Sequence, residues 1–362
     1  MDDRLNPSWE ATAIYRARVR GSLLGGAIGD ALGYPIEFAS LARIRAKHGA
    51  EGVTGLVPDG QGTVGRVTDD TQMTLFTVEG LRQAHERERH KGIGGGWSRL
   101  VRDAYGRWLD TQHLPAPPAG AAGLAAQGWL YARRAPGNAC LSGLAQDFVP
   151  DPGAALGRPG PVNSDSKGCG AVMRSAPFGL ARVSGETAFL MAALCAQTTH
   201  GHPTGYYSAG AFAAIVAYLV EGDSLEGAVL RALRLLARHP GHEETTAALR
   251  RALDLAAEGG PTAEKVETLG GGWIGEEALA IAVYCALAEP DVRKALLLSV
   301  NHSGDSDSTG AVCGNLLGAR HGDHGLPHEW LERVEGRAET TVLADDFAAE
   351  CAGRREFVAH RP

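Results

Sequence analysis

Two short acidic stretches carry the residue types that bind hard metal cations. One reads Thr-Asp-Asp-Thr at 68–71 and the other reads Gly-Asp-Ser-Asp-Ser-Thr-Gly at 304–310. Each is followed by an apolar run at helical spacing. Each therefore places two carboxylates in the first turn of a helix, where free N–H groups and the helix dipole stabilise them. Carboxylate and hydroxyl oxygens suit Mg²⁺, Mn²⁺ and Ca²⁺. A metal site is one interpretation, and a strongly capped helix is the other.

Four aspartates would meet if these two helix starts faced each other in the folded chain. They are Asp69, Asp70, Asp305 and Asp307. Carboxylates that share one buried spot repel each other and resist ionisation, whereas a bound divalent cation relieves that repulsion. The presence of two such stretches in one chain therefore favours a metal site over two independent helix caps.

The composition is that of a globular protein. Of the 362 residues, 44% are hydrophobic and 21% are charged, and the formal net charge is −7. This charge argues against a nucleic-acid partner. No apolar run reaches the length of a membrane span, and the start lacks a signal-peptide pattern. The six cysteines form no Cys-x-x-Cys pair, so neither a zinc site nor a disulfide framework is indicated. We expect a cytoplasmic monomer with reduced thiols.

Hydrophobic periodicity predicts an all-α fold, because no convincing strand run is present. Three glycine-rich connections, 39–67, 150–170 and 259–275, each lead into a predicted helix start. We expect one compact multi-helix domain over residues 1–362. The predicted helices span 10–32, 70–84, 97–109, 121–133, 186–197, 204–221, 224–238, 243–258 and 291–300, with further helices after 277 and after 305 and two within 327–352.

Two acids near the end of the first predicted helix are further candidates for the site. Asp30 interrupts an apolar helix face, and a buried aspartate needs a partner. Its alternative role is a local hydrogen bond in the last helical turn. Glu37 follows in a Tyr-Pro-Ile-Glu-Phe segment, where the alternative is a plain surface position.

Three other segments have residues suited to binding a ligand. Small residues at 164–174 let a ligand touch backbone N–H groups, and the helix start that follows favours an anion such as a diphosphate. A plain loop is the alternative there. His200 and His202 lack a third soft ligand for zinc, so a hydrogen-bonding role is predicted. Trp273, on a glycine loop, either stacks on a base or anchors the core.

Five motifs in order resemble those of the ADP-ribosylglycohydrolase family, which includes the dinitrogenase reductase-activating glycohydrolase and the ADP-ribosylarginine hydrolases. Together they cover about residues 17–320. The motifs are Gly-x-x-x-Gly-Asp-Ala-Leu-Gly at 25–33, Thr-Asp-Asp-Thr at 68–71, Gly-Cys-Gly-Ala-Val-Met-Arg at 168–174, Thr-His-x-His-Pro-Thr-Gly-Tyr at 199–206 and Gly-Asp-Ser-Asp-Ser-Thr-Gly at 304–310.

The resemblance implies an all-α orthogonal helix bundle with two Mg²⁺ or Mn²⁺ ions in a central cleft. Members often have threonine where Ser308 stands, and both residues supply a hydroxyl oxygen. Glu37 matches a glutamate that approaches the metals in some members. By motif match, the implied metal ligands are Thr68, Asp69, Asp70, Asp305, Asp307 and Ser308.

The resemblance also implies the reaction, which is hydrolysis of the N-glycosidic bond between ADP-ribose and a protein side chain. The loop at 164–170 would hold the diphosphate and the loop at 270–274 the adenosine. The motifs at 168–170 and 202–206 look closer to those of the arginine-specific hydrolases. Asp69, Asp70 and Glu37 are the implied catalytic residues. The implied substrate-binding residues are Ser166, Gly168, Cys169, Gly170, His200, Gly272, Trp273 and Ile274.

Two alternatives to a protein-directed hydrolase remain open. One is a hydrolase of a free ADP-ribose conjugate such as O-acetyl-ADP-ribose, and the other is an inactive member that only binds ADP-ribose. The full set of six oxygen ligands favours an enzyme. The expected partner is therefore an ADP-ribosylated protein or ADP-ribose conjugate.

Overall fold

The computed structural model describes residues 9–92 and 94–352, which form sixteen α-helices and no sheet. The all-α prediction is confirmed. Pro58 with Val64 and Gly168 with Ile274 form the isolated β-bridges within these residues. The helices are α1 (Trp9–Gly33), α2 (Leu41–His48), α3 (Asp69–Lys91), α4 (Trp97–His113), α5 (Asn138–Leu144), α6 (Ala176–Leu180), α7 (Gly185–Ala196), α8 (Pro203–Glu221), α9 (Leu225–Leu236), α10 (Glu243–Ala257), α11 (Ala263–Glu267), α12 (Gly275–Ala288), α13 (Val292–Val300), α14 (Ser306–His321), α15 (His328–Leu331) and α16 (Arg337–Ala352).

Helices α1 and α14 pack antiparallel with their backbones in direct contact. The facing pairs are Gly21–Gly318, Gly25–Gly314 and Gly29–Gly310. A Cβ on Gly29 would lie 1.9 Å from the carbonyl oxygen of Gly310, and one on Gly314 would lie 1.9 Å from that of Gly25. A glycine in a helix costs about 1 kcal/mol relative to alanine. This cost is offset because only glycine permits so close an approach.

We expect Gly29→Ala to destabilise the protein by about 3 kcal/mol, because the obstructing atoms belong to the backbone and cannot rotate away. Gly106→Ala in α4 is the matched control. Its added Cβ would meet only the Arg102 guanidinium at 3.3 Å, and alanine improves helix propensity there. Urea unfolding measures both variants. Equal stability of Gly29→Ala and the wild type would contradict the close-packing account.

The centre of the molecule is built on α8 and α12, which are apolar on nearly all sides and buried along most of their length. A helix that is hydrophobic all round is stable only when other helices surround it. Both helices contact α14, and α8 also packs on α6, α7 and α9. Among the described residues, no helix is both long enough and apolar enough to span a membrane.

Four predicted element assignments differ from the structure. The helix predicted at 121–133 is wrong: two short 3₁₀ turns occupy this segment, and Gly123 adopts a φ of 60° that interrupts a helix. The predicted connections 39–67 and 259–275 contain α2 and α11, short helices whose first turns are capped by Ser40 and Thr262. Helix α3 extends to Lys91, seven residues beyond the predicted end at 84.

Asp345 of α16 joins the last described helix to the first. Its carboxylate accepts hydrogen bonds from Arg16 at 2.7 and 2.6 Å and also from Arg20. These guanidinium groups hold the pKa of Asp345 well below its usual value of 3.8. A carboxyl whose pKa is depressed on folding adds stability above its unfolded pKa, and this stability is lost as the pH falls toward the folded pKa.

We expect Asp345→Asn to lower the free energy of unfolding by about 1 kcal/mol at pH 7, a value limited by solvent screening of the partly exposed Arg16. The difference from the wild type should shrink as the pH falls below about 4. Urea unfolding at pH 7 and pH 3 tests this, with the exposed Asp103→Asn as control. A difference that stays constant across this range would contradict the ion-pair account.

Candidate metal and substrate site

The end of α1 meets the starts of α3 and α14, and Asp30 fixes the first of these junctions. The Asp30 side chain is fully buried. It accepts hydrogen bonds from the backbone N–H of Thr68 at 2.9 Å and from the N–H and hydroxyl of Thr71 at 3.1 and 2.5 Å. Its partners are thus 38 and 41 residues away, so the alternative of a local helix-end bond is wrong. Asp30 positions the Thr-Asp-Asp-Thr stretch.

The start of α14 presents a second set of oxygens. Ser308 donates its backbone N–H to Asp305 Oδ1 at 3.2 Å and to Asp307 Oδ1 at 3.0 Å. At the start of α3, the Thr68 hydroxyl lies 3.3 Å from Asp70 Oδ2. Asp69 accepts a longer bond of 3.4 Å from the N–H of Gly137. These bonds orient the carboxylates while leaving oxygen lone pairs free.

Glu37 reaches the α14 acids from the turn that follows α1. One carboxylate oxygen from each of Glu37, Asp305 and Asp307 lies within 4.8 Å of the other two. Glu37 Oε2 and Asp70 Oδ1 are buried and have no hydrogen-bond partner. Buried polar atoms normally have one. The surface alternative for Glu37 is therefore wrong, and both atoms have room for a further partner.

The buried acids of the two helix starts raise one another's pKa. Burial raises the pKa of Asp69, Asp70 and Asp305 well above the usual range, and the Asp307 carboxylate adds to the effect. Burial and the facing acids raise the pKa of Glu37 to about 10. Burial and, to a lesser extent, the Asp307 carboxylate raise the pKa of Asp30 to about 7. The two acidic helix starts thus interact in the fold.

The acidic cluster could bind a metal ion. Its donors are carboxylate and hydroxyl oxygens, which fit a hard divalent cation. Two of its buried oxygens lack partners, and its charges oppose one another, so a cation would satisfy both. The acidic cluster is defined here as Glu37, Thr68, Asp69, Asp70, Asp305, Asp307 and Ser308.

Two glycine loops lie against this cluster and are joined to each other. Gly168 and Ile274 form a β-bridge, with the Cys169 N–H donating to the Trp273 carbonyl at 3.1 Å. The Cys169 thiol lies 2.8 Å from Asp305 Oδ2. Gly271 accepts the backbone N–H of Asp305 at 2.8 Å. The two loops predicted to bind substrate are therefore attached to the start of α14.

His200 lies beneath the first of these loops and is neutral. A Cβ added to Gly168 would lie 3.2 Å from His200 Nε2, and one on Gly170 would lie 3.0 Å from the His200 ring. The Thr199 hydroxyl is 2.7 Å from His200 Nδ1. Burial and the nearby Arg174 guanidinium lower the pKa of His200 to about 3. A neutral imidazole at this position can exchange hydrogen bonds without adding charge.

Arg174 is a positioning residue that the sequence reasoning missed. The residue is buried, at 1% exposure. It donates to the Gly170 carbonyl at 2.9 Å and to the Thr199 hydroxyl at 2.7 Å, so it links the loop at 168–170 to the segment that carries His200. The available signal was a charge inside the apolar run at 171–180, because a buried arginine needs several acceptors.

Ser166 and Trp273 occupy more exposed positions. Ser166 lines a cavity of about 610 Å³ together with residues 138, 139, 141, 142 and 163–165, and no hydrogen bond joins its side chain to the acids in the described structure. Trp273 is 42% exposed, so it is not a core anchor. Its ring stacks on that of Phe38, with centroids 5.3 Å apart. Gly272 packs closely on Thr309, next to Asp305.

The sequence of this chain matches a known protein family. A family model described as ADP-ribosylglycohydrolase matches residues 11–356, and the chain belongs to this family. The family is metal-dependent and acts on ADP-ribosylated substrates, which supports an ADP-ribosyl hydrolase activity.

Some named relatives are similar to most of this chain, and others to about half of it. The ADP-ribosyl-(dinitrogen reductase) glycohydrolase of Rhodospirillum rubrum is 25% identical over 90% of this chain and 92% of its own. ADP-ribosylhydrolase ARH3 of Homo sapiens is 31% identical over 50% of this chain and 58% of its own. ADP-ribosylarginine hydrolase Tri1 of Pseudomonas putida is 24% identical over 91% and 77%.

A solved structure titled "ADP-ribosylglycohydrolase-related protein complex" has the same fold. It superposes with a TM-score of 0.62, covering 94% of this chain and 99% of that one, at 22% identity. At this identity the similarity extends to the fold alone.

Mn²⁺ should raise the melting temperature of the wild type, because an ion that binds only the folded state stabilises it by mass action. Asp307→Asn should abolish this shift. The variant should also be about 1 kcal/mol more stable than the wild type without metal, because it removes a charge that opposes the other buried acids. Thermal unfolding with and without EDTA measures both effects.

Asp103→Asn, on the exposed face of α4, is the control and should keep the full shift. A normal Mn²⁺ shift in Asp307→Asn would rule out the acidic cluster as the metal site.

Proposed function

We propose that the protein is a hydrolase that releases ADP-ribose from ADP-ribosylated arginine side chains, using two divalent ions held by the acidic cluster. The observation that supports this most directly is the convergence of Glu37, Asp305 and Asp307 within 4.8 Å beside unpartnered buried oxygens. Family membership supplies the substrate class. The motifs at 168–170 and 202–206 favour the arginine linkage.

The proposed ligands are Thr68, Asp69, Asp70, Asp305, Asp307 and Ser308. When bound, divalent ions would lower the pKa of a coordinated water and orient the ribose hydroxyls. The protein's contribution is to keep these oxygens in place. The Thr68 and Asp305 groups belong to helix starts that Asp30 and the α1–α14 contact hold together.

Asp69 or Asp70 is the proposed base that receives the proton of the attacking water. Asp70 Oδ1 is buried and unpartnered, so it is free to accept a proton. The sugar carbon becomes positively charged as the glycosidic bond breaks, and the surrounding carboxylates stabilise that charge. Glu37, at the edge of the cluster, is the proposed group that protonates the leaving side chain or orients the water.

The glycine loops are the proposed binding sites for the rest of ADP-ribose. Backbone N–H groups around Gly168 and Gly170 would receive the diphosphate, since small residues expose them. Neutral His200 lies directly below and offers a ring nitrogen without repelling or over-binding the anion. Gly272, Trp273 and Ile274 would face the adenosine, and Ser166 the adjoining cavity.

Hydrolysis of a free ADP-ribose conjugate is the second candidate function, and the solvent exposure of the site supports it. Trp273 and the cavity at 163–166 are open to solvent, so the same groups can hold ADP-ribose whether or not a protein is attached. The two candidates differ only in the leaving group.

A release assay with Mg²⁺ separates these functions. The substrates are protein ADP-ribosylated at arginine, protein ADP-ribosylated at serine, and O-acetyl-ADP-ribose, with free ADP-ribose as the measured product. We expect release from arginine, reduced at least about a hundredfold in Asp307→Asn because metal ions contribute several kcal/mol to such reactions. Asp103→Asn should retain wild-type activity.

Release from the acetyl ester alone would support the second candidate. Binding of ADP-ribose without release from any substrate would identify an inactive member of the family. Full release in Asp307→Asn after metal removal would contradict the two-metal account.

A further inference from the structure

Phe38 has an unusual conformation for its residue type. Its φ is 64°, and its side chain is 70% exposed. Bulky residues rarely adopt the left-handed region, because the Cβ crowds the backbone there. Such strain persists only where other contacts hold it, and it is concentrated at functional sites. Burial cannot be the compensation for so exposed a side chain.

The contact that compensates is with Trp273. The two rings are stacked, with centroids 5.3 Å apart and an interplanar angle of 23°. Stacked aromatic pairs contribute beyond the area that they bury. Trp273 is two residues from Gly271, whose carbonyl accepts the N–H of Asp305 at 2.8 Å. The stack therefore joins the segment that carries Glu37 to the loop that is attached to Asp305.

Glu37 needs such a constraint, because its carboxylate faces like charges. One carboxylate oxygen each of Glu37, Asp305 and Asp307 lies within 4.8 Å of the other two, and Glu37 Oε2 has no hydrogen-bond partner. Before Phe38, the Glu37 N–H donates a hydrogen bond to the Gly33 carbonyl at 2.9 Å. After Phe38, the Leu41 N–H donates one to the Ser303 hydroxyl at 2.8 Å. Between these two bonds, Ala39 packs on the core and donates its N–H to Ile36 at 3.0 Å, and the aromatic stack adds a contact from the residue next to Glu37 that opposes its withdrawal.

We propose that Phe38 and Trp273 form an aromatic latch that holds the Glu37 carboxylate against Asp305 and Asp307. Phe38 is thus a positioning residue that acts on metal binding through Glu37, whose carboxylate lies within 4.8 Å of the proposed ligands Asp305 and Asp307. This inference rests on the metal site of the proposed function. A ring that merely covered the tryptophan would stabilise the fold without any link to Glu37.

A double-mutant cycle distinguishes these roles, because two residues that act through one contact are not additive. Calorimetric titration with Mn²⁺ alone measures Kd for the wild type, Phe38→Ala, Glu37→Gln and the double variant. We expect Phe38→Ala to weaken Mn²⁺ binding about three- to tenfold, as expected for one aromatic pair. In the Glu37→Gln background the same change should have no further effect.

Two controls accompany the cycle. Phe38→Tyr keeps the ring and should bind Mn²⁺ as the wild type does. Val342→Ala truncates another strongly exposed hydrophobic side chain, at 62% exposure, and should leave Kd unchanged. Because Phe38 is exposed, we expect its variants to fold, and thermal unfolding checks this.

The outcomes separate the latch from the metal site. Equal losses of affinity in both backgrounds, or an unchanged Kd in Phe38→Ala, would overturn the latch while leaving the metal site intact. A wild type that binds no Mn²⁺ would overturn the metal site of the proposed function, and the latch with it.

Discussion

Helices α1 and α14 touch through their backbones, and this contact determines where the chemistry of the protein can lie. Glycines at every fourth position put no side chain at the facing positions, so neither helix can slide or tilt without a backbone clash. At the end of the contact, a Cβ on Gly33 would lie 2.2 Å from the Ser306 carbonyl oxygen. The last turn of α1, with Asp30, therefore meets the first turn of α14, with Asp307.

The buried acids fall into two kinds, which their hydrogen bonds distinguish. Asp30 has its acceptors filled by Thr68 and Thr71, so its role is to hold the start of α3. Asp70 and Glu37 retain buried oxygens without partners. An unsatisfied buried carboxylate destabilises a fold. Its presence beside other acids therefore points to ligand binding rather than to architecture, and this separates Asp70 and Glu37 from the structural Asp30.

The sequence predicts the local parts of this site better than its assembly. Acids before an apolar helical run show both helix starts, because capping is a short-range effect. The partners of Asp30 and the contacts of Arg174 join distant segments, and no periodicity reveals them. The segment 121–133 has helical spacing, but Gly123 adopts a positive φ that interrupts a helix. Helices α2 and α11 have too few turns to show a period, although Ser40 and Thr262 are recognisable caps.

The acidic cluster and the loop next to Trp273 are not independent in this molecule. Gly271 accepts the Asp305 N–H, and the N–H groups of Gly271 and Gly272 both donate to Glu277 Oε2 at about 3 Å. Gly304 has a φ of 142° and packs on the Gly271 carbonyl, where a Cβ would lie 2.0 Å away. The loop that precedes the acids of α14 therefore shares hydrogen bonds with the loop next to Trp273. A shift of either loop displaces the other, so a change in the loop at 270–274 also alters the positions of the acids.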